Sequence, residues 1–328
     1  PAAGSVTTPF PPVRTRVLAP GIRHTTGTMV TGGSRIQAVQ VGTIDLAEPT
    51  VAIRSLLSND RVIGVERPSE LADRTSTAAA RAIVATNGDV SIAGGSGAEN
   101  APQSLHVSGG EVLVGQECTT PTLGIMADGS ADIDLIRVRT RVDLGYPVPG
   151  WWGTELRVAG INTRRVADEA ILYTPWFGPR TLTSSAGTEV ILSVAGPIAP
   201  WGEVDGTVIA IRRGAGNTRI LPGRAVLSVS GSMQAQLARM EVGDAVTIRT
   251  VVQEAIGGTC GREMTDRPDW ASVREAMGGN WFGSPTRIRR LTVFKSSACN
   301  RTPSKSIGII EASSMMTVGA PCWSPPER

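Results

Sequence analysis

The stretch "IRVRTRVDL", residues 136–144, shows the fold class of this chain most directly. Apolar and β-branched side chains alternate here with arginines at 137, 139 and 141, and a period of two residues is typical of a strand with one buried face. The arginine face has two interpretations: a basic ridge that binds anions, or the solvated side of a half-exposed strand. The usual alternation of antiparallel sheets favours the second interpretation.

Strand-like segments continue on both sides of this stretch. The chain has 38 glycines and 22 prolines but only 4% aromatic residues, which favours strands joined by turns. Gly109-Gly110 lies between two short apolar runs within residues 104–115, a pattern typical of a β-hairpin. The other predicted strands cover residues 36–46, 50–57, 61–65, 82–87, 170–174, 188–194, 206–213, 225–231 and 245–252.

Three short helices are predicted between these strands. Residues 69–82 begin with Ser69, a residue type that caps helix N-termini, and carry apolar side chains that share one face. A second helix is predicted over residues 232–240. A third, capped by Asp269, is predicted over residues 269–277 and should end at the glycine pair that follows it.

The expected fold class is therefore α+β, with a β-rich mixed sheet and a few short packed helices. Residues 1–14 are expected to form a flexible leader and residues 15–328 one domain.

The formal net charge of +3 lacks the strong basic excess of nucleic-acid-binding proteins, so no nucleic acid partner is expected. No run of 18 apolar residues occurs, and no membrane span is predicted. The first residue is not Met, which fits a mature exported form or a boundary introduced by cloning.

General motif searches identify little chemistry. The chain contains no P-loop, H-E-x-x-H, G-x-S-x-G or dinucleotide-binding fingerprint, and no metal site or cofactor is predicted. Its two histidines, His24 and His106, are expected to be structural or hydrogen-bonding residues. The cysteines form no C-x-x-C pair, so the alternatives are one or two disulfides or four buried free thiols. These cysteines are Cys118, Cys260, Cys299 and Cys322.

The segment "ATNGD", residues 85–89, ends a strand-like run with an amide, a glycine and a carboxylate. Asn, Gly and Asp are favoured turn residues, so local composition alone indicates a turn. The alternative is that a strand end delivers Asn87 and Asp89 to a functional site. A turn and a site are compatible, because sites often lie on loops held by rigid elements.

Several weak motifs in one order resemble the phosphodiester glycosidase family. "AIVATNGD" (82–89) resembles the family's "A.A.vNGDFF", and "SLHVSGGEVLVG" (104–115) resembles its "P.G..v..GE.v" hairpin. "GINTRRVADEAILYT" (160–174) resembles "giN..r..d..vlyT", and "EAMGGNWF" (275–282) resembles "aiGG...l". The resemblance covers roughly residues 15–318. Its other matches lie at residues 18–25, 36–54, 187–192, 221–231 and 237–248.

The resemblance implies a hydrolase that cleaves the glycosidic bond of a carbohydrate phosphodiester at the anomeric carbon, in a secreted or cell-envelope location. Asp89 would stabilise an oxocarbenium-like transition state or deliver water, Asn87 would contact sugar hydroxyls or hold Asp89, and Arg301 would face the phosphate. The substrate-binding residues implied are Gly88, Thr302, His106, Gly278 and Gly279.

Two departures from the family pattern bear on activity. Val90 and Ser91 follow Asn-Gly-Asp where the family places aromatic residues, and the family's C-terminal Asp-Gly-Gly-Gly-Ser segment is absent. A C-terminally truncated domain with weak or no catalysis is therefore expected. The alternative is a non-catalytic exported protein that binds a saccharide or phosphate polymer of the cell envelope. The sequence does not predict the oligomeric state.

Overall fold

A computed structural model describes the fold over most of the chain. The described residues are 12–31, 35–89, 98–116, 120–149, 153–256, 263–279, 290–296, 306–309 and 313–318. Within them, strands dominate and form three sheets. The expected β-rich architecture with a mixed sheet is confirmed. The α+β label fits only loosely, because the described residues contain a single α-helix, of eight residues.

Two of the sheets are small and each combines strands from both ends of the chain. The five-stranded sheet has the order β1-β2-β3-β19-β21, and its strands are β1 Pro12–Ala19, β2 Ile22–Thr31, β3 Arg35–Asp45, β19 Arg290–Ser296 and β21 Ser313–Val318. The three-stranded sheet has the order β4-β20-β5, with β4 Arg54–Leu57, β5 Thr86–Asn87 and β20 Ser306–Ile309. Residues near both chain ends are thus tied together by backbone hydrogen bonds.

The largest sheet has thirteen strands. They are β6 His106–Ser108, β7 Glu111–Gln116, β8 Thr120–Met126, β9 Ala131–Asp143, β10 Glu155–Val158, β11 Gly160–Ile161, β12 Ala170–Tyr173, β13 Gly187–Val194, β14 Gly202–Arg213, β15 Arg224–Ser230, β16 Ala245–Ile256, β17 Glu263–Asp266 and β18 Val273–Gly278. Their order is β10-β9-β8-β18-β6-β7-β11-β12-β15-β13-β14-β16-β17. Only the β11–β12 pair is parallel among the pairs described in this sheet.

The large sheet closes on itself through β9. One edge of this long strand pairs with β8 and then with β10. Along the other edge, residues 136–143 pair with residues 247–254 of β16. The alternation predicted for 136–144 is confirmed, since Ile136, Val138 and Val142 are buried and the arginines between them are half-buried. One large hydrophobic cluster collects the buried side chains of most of these strands and includes the fully buried Trp270.

The first predicted helix is shorter than expected. The α-helix, α1, covers Pro68–Thr75, with Arg67 rather than Ser69 at its N-cap. The Arg67 amide donates to the Glu70 carboxylate at 3.0 Å, a capping-box contact, and Pro68 suits the first helical turn. The helix ends at Ser76, where the backbone becomes extended. The Ser76 hydroxyl donates to the Ala72 carbonyl oxygen and accepts from the Ala82 amide, which holds the chain after the helix. Residues 76–82 are therefore not helical.

The prediction of a helix over residues 269–277 is wrong. Residues Pro268–Ser272 form a 3-10 helix, and β18 occupies the rest of the segment. Pairing with β6 on one side and β8 on the other outweighs the favourable helix propensity of Glu, Ala and Met. The segment predicted over 232–240 is a 3-10 helix at Gly231–Leu237, and a third 3-10 helix covers Ser58–Asp60.

Three strand predictions also need correction. Within residues 82–87 only β5, Thr86–Asn87, is a strand. Residues 61–65 are not a strand but contain a turn, in which the Gly64 amide donates to the Arg61 carbonyl oxygen at 3.0 Å. Only the second half of 50–57 is a strand, β4.

Among the described residues, no helix combines the length and apolar character needed to cross a membrane. All four cysteines lie outside the described residues.

Candidate functional site

Asp89 follows β5, and its carboxylate is held by the segment that leads into β6. Its Oδ2 accepts a hydrogen bond from the Ser104 amide at 2.6 Å, and its Oδ1 accepts one from the Ser104 hydroxyl at 3.0 Å. The residue is only 8% exposed. Hydrogen bonds to an ionised acceptor are stronger than those between neutral groups, so this serine fixes the direction of the carboxylate.

Close backbone packing brings a second predicted segment against the first. A Cβ atom at Gly88 would overlap the sulfur of Met277, a buried residue of β18. A Cβ atom at Gly278 would overlap the Cβ of Ser104, and the Gly278 amide donates to the Leu105 carbonyl oxygen at 2.7 Å. Glycine at 88 and 278 therefore allows the Asp89 segment, the β6 entry and β18 to approach closely.

The structure thus gathers five of the eight predicted site residues. Gly88 contacts Met277 of β18, and Asp89 contacts Ser104 in the segment that leads into β6. His106 is the first residue of β6, and Met277 is the strand partner of His106. Gly278 ends β18, and the amide of Gly279 donates to the Pro121 carbonyl oxygen at 3.0 Å. These residues come from segments almost 200 positions apart, so their meeting is a property of the fold and not of local sequence.

Three predicted site residues stay partly or wholly untested by the geometry. The backbone of Asn87 pairs with Ile307 of β20, while its side chain lies outside what the structure describes. Arg301 and Thr302 lie outside the described residues altogether, and β20 begins at Ser306. The roles proposed for all three remain predictions.

His106 is buried within a polar network next to the Asp89 segment. Its ring is 1% exposed, and Nε2 lies 2.9 Å from the Ser55 hydroxyl oxygen. The same hydroxyl donates to the Ala276 carbonyl oxygen at 3.0 Å. Burial lowers the pKa of His106 to about 4, with a hydrogen bond to the Ser55 backbone acting weakly in the other direction. The imidazole is therefore neutral at pH 7, which fits the hydrogen-bonding role expected for it.

Glu275 completes this network with a buried carboxyl group. Its Oε2 accepts from the Ser55 amide at 2.8 Å, and its Oε1 accepts from the Gly109 amide at 3.1 Å. The guanidinium of Arg54 lies 3.7 Å from Oε1 on the exposed side. Burial raises the pKa of Glu275, and the two backbone hydrogen bonds and Arg54 only partly offset this effect. Glu275 therefore takes up a proton at a higher pH than an exposed glutamate does.

The network supports the Asp89 segment and does not itself face solvent. Ser55 and His106 are each 1% exposed, so neither can touch a ligand in this conformation. Together with Glu275 they fix β4, β6 and β18 relative to one another through side-chain contacts between residues that are distant in sequence. In chemical terms, the arrangement is one positioned carboxylate, Asp89, on a rigid polar support.

The sequence analysis missed Ser55, Ser104 and Glu275. Ser55 lies in a predicted strand but carries no motif, and Ser104 lies in the matched hairpin without being singled out. Glu275 lay within the helix predicted over residues 269–277 and was not singled out. The available signal was the matched "EAMGGNWF" segment, which begins at this residue.

Within the described ranges, no group of three or more His, Cys, Asp or Glu side chains could hold a metal ion. A recess of about 360 Å³ lies beside β1, β2 and β3 and is lined in part by Ile22, Asp45 and Glu48. It contains none of the predicted site residues.

Comparison with known proteins identifies relatives by fold. No family model matches the chain, and no curated protein matches it. The crystal structure of a hypothetical protein from Synechocystis is similar, with a TM-score of 0.57 and 18% identity over 82% of this chain. The crystal structure of a "Putative exported protein" from Burkholderia pseudomallei K96243 is similar with a TM-score of 0.56 and 15% identity over 88% of this chain.

These similarities concern the fold alone at such low identity. The matched parts make up 44% of the Synechocystis chain and 65% of the Burkholderia chain, so this chain spans well under the full length of either protein. The fold of this chain is therefore similar to parts of two longer chains.

Proposed function

We propose that this chain is a hydrolase of the phosphodiester glycosidase type, which cleaves the glycosidic bond of a sugar-1-phosphodiester at a site centred on Asp89. The observation that carries the proposal is the meeting of three segments that resemble the family's motifs. Residues 86–89, 104–108 and 275–279 are far apart in the sequence, yet they contact one another around one positioned carboxylate.

Asp89 supplies the negative charge in the proposed reaction. Departure of a phosphomonoester leaves positive charge on the anomeric carbon, and a fixed carboxylate stabilises that charge or directs a water molecule to it. The Ser104 amide and hydroxyl hold the carboxylate without reorganisation during the reaction. Since the leaving phosphate is already a stable anion, the demand for a general acid is smaller than for an ordinary glycoside.

Ser55, His106 and Glu275 act as positioning residues in this proposal. They join β4 to β6 and β18, the strands on which the Asp89 segment rests. A secreted or cell-envelope location is part of the proposal, supported by the "Putative exported protein" among the structures of similar fold.

The test compares hydrolysis of a sugar-1-phosphodiester by the wild-type chain with hydrolysis by Asp89→Asn. We expect the variant to lose about a hundredfold or more in kcat/KM, the range typical of a lost carboxylate that assists proton transfer. Asp168→Asn is the matched control, because Asp168 also accepts hydrogen bonds from the amide and hydroxyl of one serine, Ser232, at 2.6 and 2.7 Å. Equal activity in all three proteins would contradict the proposal.

A second candidate function is binding without catalysis, to a saccharide or phosphate polymer of the cell envelope. It is favoured by the burial of Asp89 and by the use of both its carboxylate oxygens in contacts with Ser104. If the folded wild-type chain shows no turnover but binds the substrate saturably in calorimetry, this second candidate replaces the first. A folded chain with neither property would exclude both functions.

A further inference from the structure

The arginine face of β9 is a surface that the proposed hydrolase site does not use. Arg137, Arg139 and Arg141 lie on the same side of the strand and are half-buried. Alternate residues of a strand are about 7 Å apart, so their side chains are long enough to converge on one small ligand. The other face of β9 is buried in the hydrophobic cluster.

Neighbouring strands add two more arginines to this face. Arg249 of β16 is the strand partner of Arg141 on one side, and Arg157 of β10 is its partner on the other. Directly opposed residues in a sheet project to the same face, and like charges in such positions destabilise a sheet. An arrangement of this kind therefore carries a free-energy cost unless an anion is present.

Three nearby carboxylates neutralise Arg249. Arg249 lies within 3.4 Å of Asp143, 3.0 Å of Glu155 and 2.9 Å of Glu203. By contrast, within the part of the chain that the structure describes, neither Arg139 nor Arg141 has a carboxylate oxygen within ion-pair distance. Arg141 donates only a long bond, 3.4 Å, to the carbonyl oxygen of Thr140.

Burial and charge both act on these side chains in the same direction. Burial lowers the pKa of Arg141, and repulsion from Arg139 lowers it further, while Glu155 opposes the shift. Burial likewise lowers the pKa of Arg137, reinforced by Arg139 and then by Arg141. A bound anion would remove this mutual repulsion.

A recess opens at the centre of the row. It has a volume of about 200 Å³ and is lined by Arg139, Arg141 and Arg249. Trp201 also lines it, as do Glu155 and Glu203, whose carboxylates are paired with Arg249. The volume suits a small charged group rather than a drug-sized ligand. Guanidinium groups bind phosphate through paired hydrogen bonds, and a tetrahedral phosphate has enough oxygens to engage two of them. A carboxylate, with two oxygens, is satisfied by one.

We propose that this recess is a phosphate-binding site in which Arg139 and Arg141 grip one phosphate group. The site is separate from the Asp89 site, since it is built on β9 and β16 and shares no residue with β5, β6 or β18. Its ligand is a phosphate group carried on a sugar or present as the free ion, and the experiment below distinguishes these two sources.

The first measurement is isothermal titration calorimetry of the full chain at low ionic strength with inorganic phosphate and, separately, with glucose 1-phosphate. The wild-type chain should bind one equivalent, and Arg139→Gln and Arg141→Gln should each weaken binding at least tenfold. Arg180→Gln is the matched control, because it removes the same charge from an exposed arginine bonded to the Asn217 carbonyl oxygen. It should change the Kd less than twofold. Asp89→Asn should bind phosphate as the wild-type chain does.

The second measurement is the thermal unfolding midpoint with and without phosphate. Without phosphate, Arg141→Gln should unfold at a higher temperature than the wild-type chain, because a repulsive charge is gone, and phosphate should no longer raise its midpoint.

The calorimetric affinities distinguish the two sources of phosphate. Tighter binding of glucose 1-phosphate supports a sugar-borne group, and tighter binding of the free ion supports inorganic phosphate. Equal stabilisation by chloride at the same ionic strength, or equal weakening in Arg180→Gln, would overturn the proposal.

Discussion

The buried imidazole of His106 makes folding stability depend on pH in a defined window. In the folded chain burial lowers its pKa to about 4, whereas an exposed histidine has a pKa of about 6.5. Between these values the unfolded chain binds a proton that the folded chain does not bind. The free energy of unfolding therefore falls as pH drops from 6.5 towards 4. A difference of about 2.5 pKa units sets a limit of about 3 kcal/mol, of which about 2 kcal/mol is lost between pH 7 and pH 5.

Glu275 acts in the opposite sense, because its raised pKa lets the folded chain bind a proton before the unfolded chain does. The histidine contribution is therefore isolated with His106→Gln, whose amide can still contact Ser55. Urea unfolding is followed by tryptophan fluorescence at pH 7 and pH 5 in buffers free of phosphate. The wild-type chain should lose about 2 kcal/mol more than His106→Gln between the two pH values. His24→Gln, which removes the other histidine, should retain the wild-type loss. An identical loss in wild type and His106→Gln would refute the reasoning.

Three further changes test the packing and the polar contacts. Gly88→Ala should lower the free energy of unfolding by about 1–3 kcal/mol in urea, because the new methyl group overlaps Met277. The loss should be smaller in the Met277→Ala background, and an equal loss there would show that the overlap with Met277 is not its cause. Glu189→Gln should cost about 1–3 kcal/mol in the same assay, because the fully buried carboxylate accepts from the Thr218 amide and from three hydroxyls, and an amide cannot accept at both ends. The control is Glu169→Gln, because the half-buried Glu169 carboxylate accepts one long bond, 3.3 Å, from the Val166 amide. Arg267→Met should cost about 3–5 kcal/mol at pH 7, because it leaves Asp132, Asp134, Glu254 and Asp269 without their shared cation. Arg267 also lowers the pKa of Asp269, so the part of this cost that comes from Asp269 should shrink as pH falls below about 4; a cost independent of pH would contradict the mechanism.

The strands were predictable where local sequence carries the tertiary pattern. Residues 136–144 alternate because one face of β9 is buried, and Gly109-Gly110 marks the β6–β7 turn in a way that needs no distant partner. The segment at 269–277 failed because Asp269 and the residues after it are typical of a capped helix. Its true conformation depends on β6 and β8, which flank it on both sides and lie some 150 positions earlier.

The candidate site was predictable only in part for the same reason. The resemblance to the phosphodiester glycosidase family predicted site residues in separate segments of the chain. The structure shows that three of them, Gly88, Asp89 and Gly278, lie close together. The side chains that hold them could not be read from the sequence. Ser55 and Glu275, for example, are 220 positions apart, and the matched segment that begins at Glu275 does not indicate Ser55 as its partner. Such contacts become visible only when the strand order is known.

The closure of the large sheet has a consequence for the order in which the molecule is made. The strand that seals the ring, β16, ends at Ile256, and β18, which separates β6 from β8, ends at Gly278. During synthesis on the ribosome, β6 to β9 emerge long before these partners exist. The edges of the early strands therefore stay unpaired until their partner strands are synthesised, and exposed edges of this kind favour association between chains. We expect nascent chains stopped before Gly278 to aggregate or to require a chaperone, and chains extended past it to become protease-resistant.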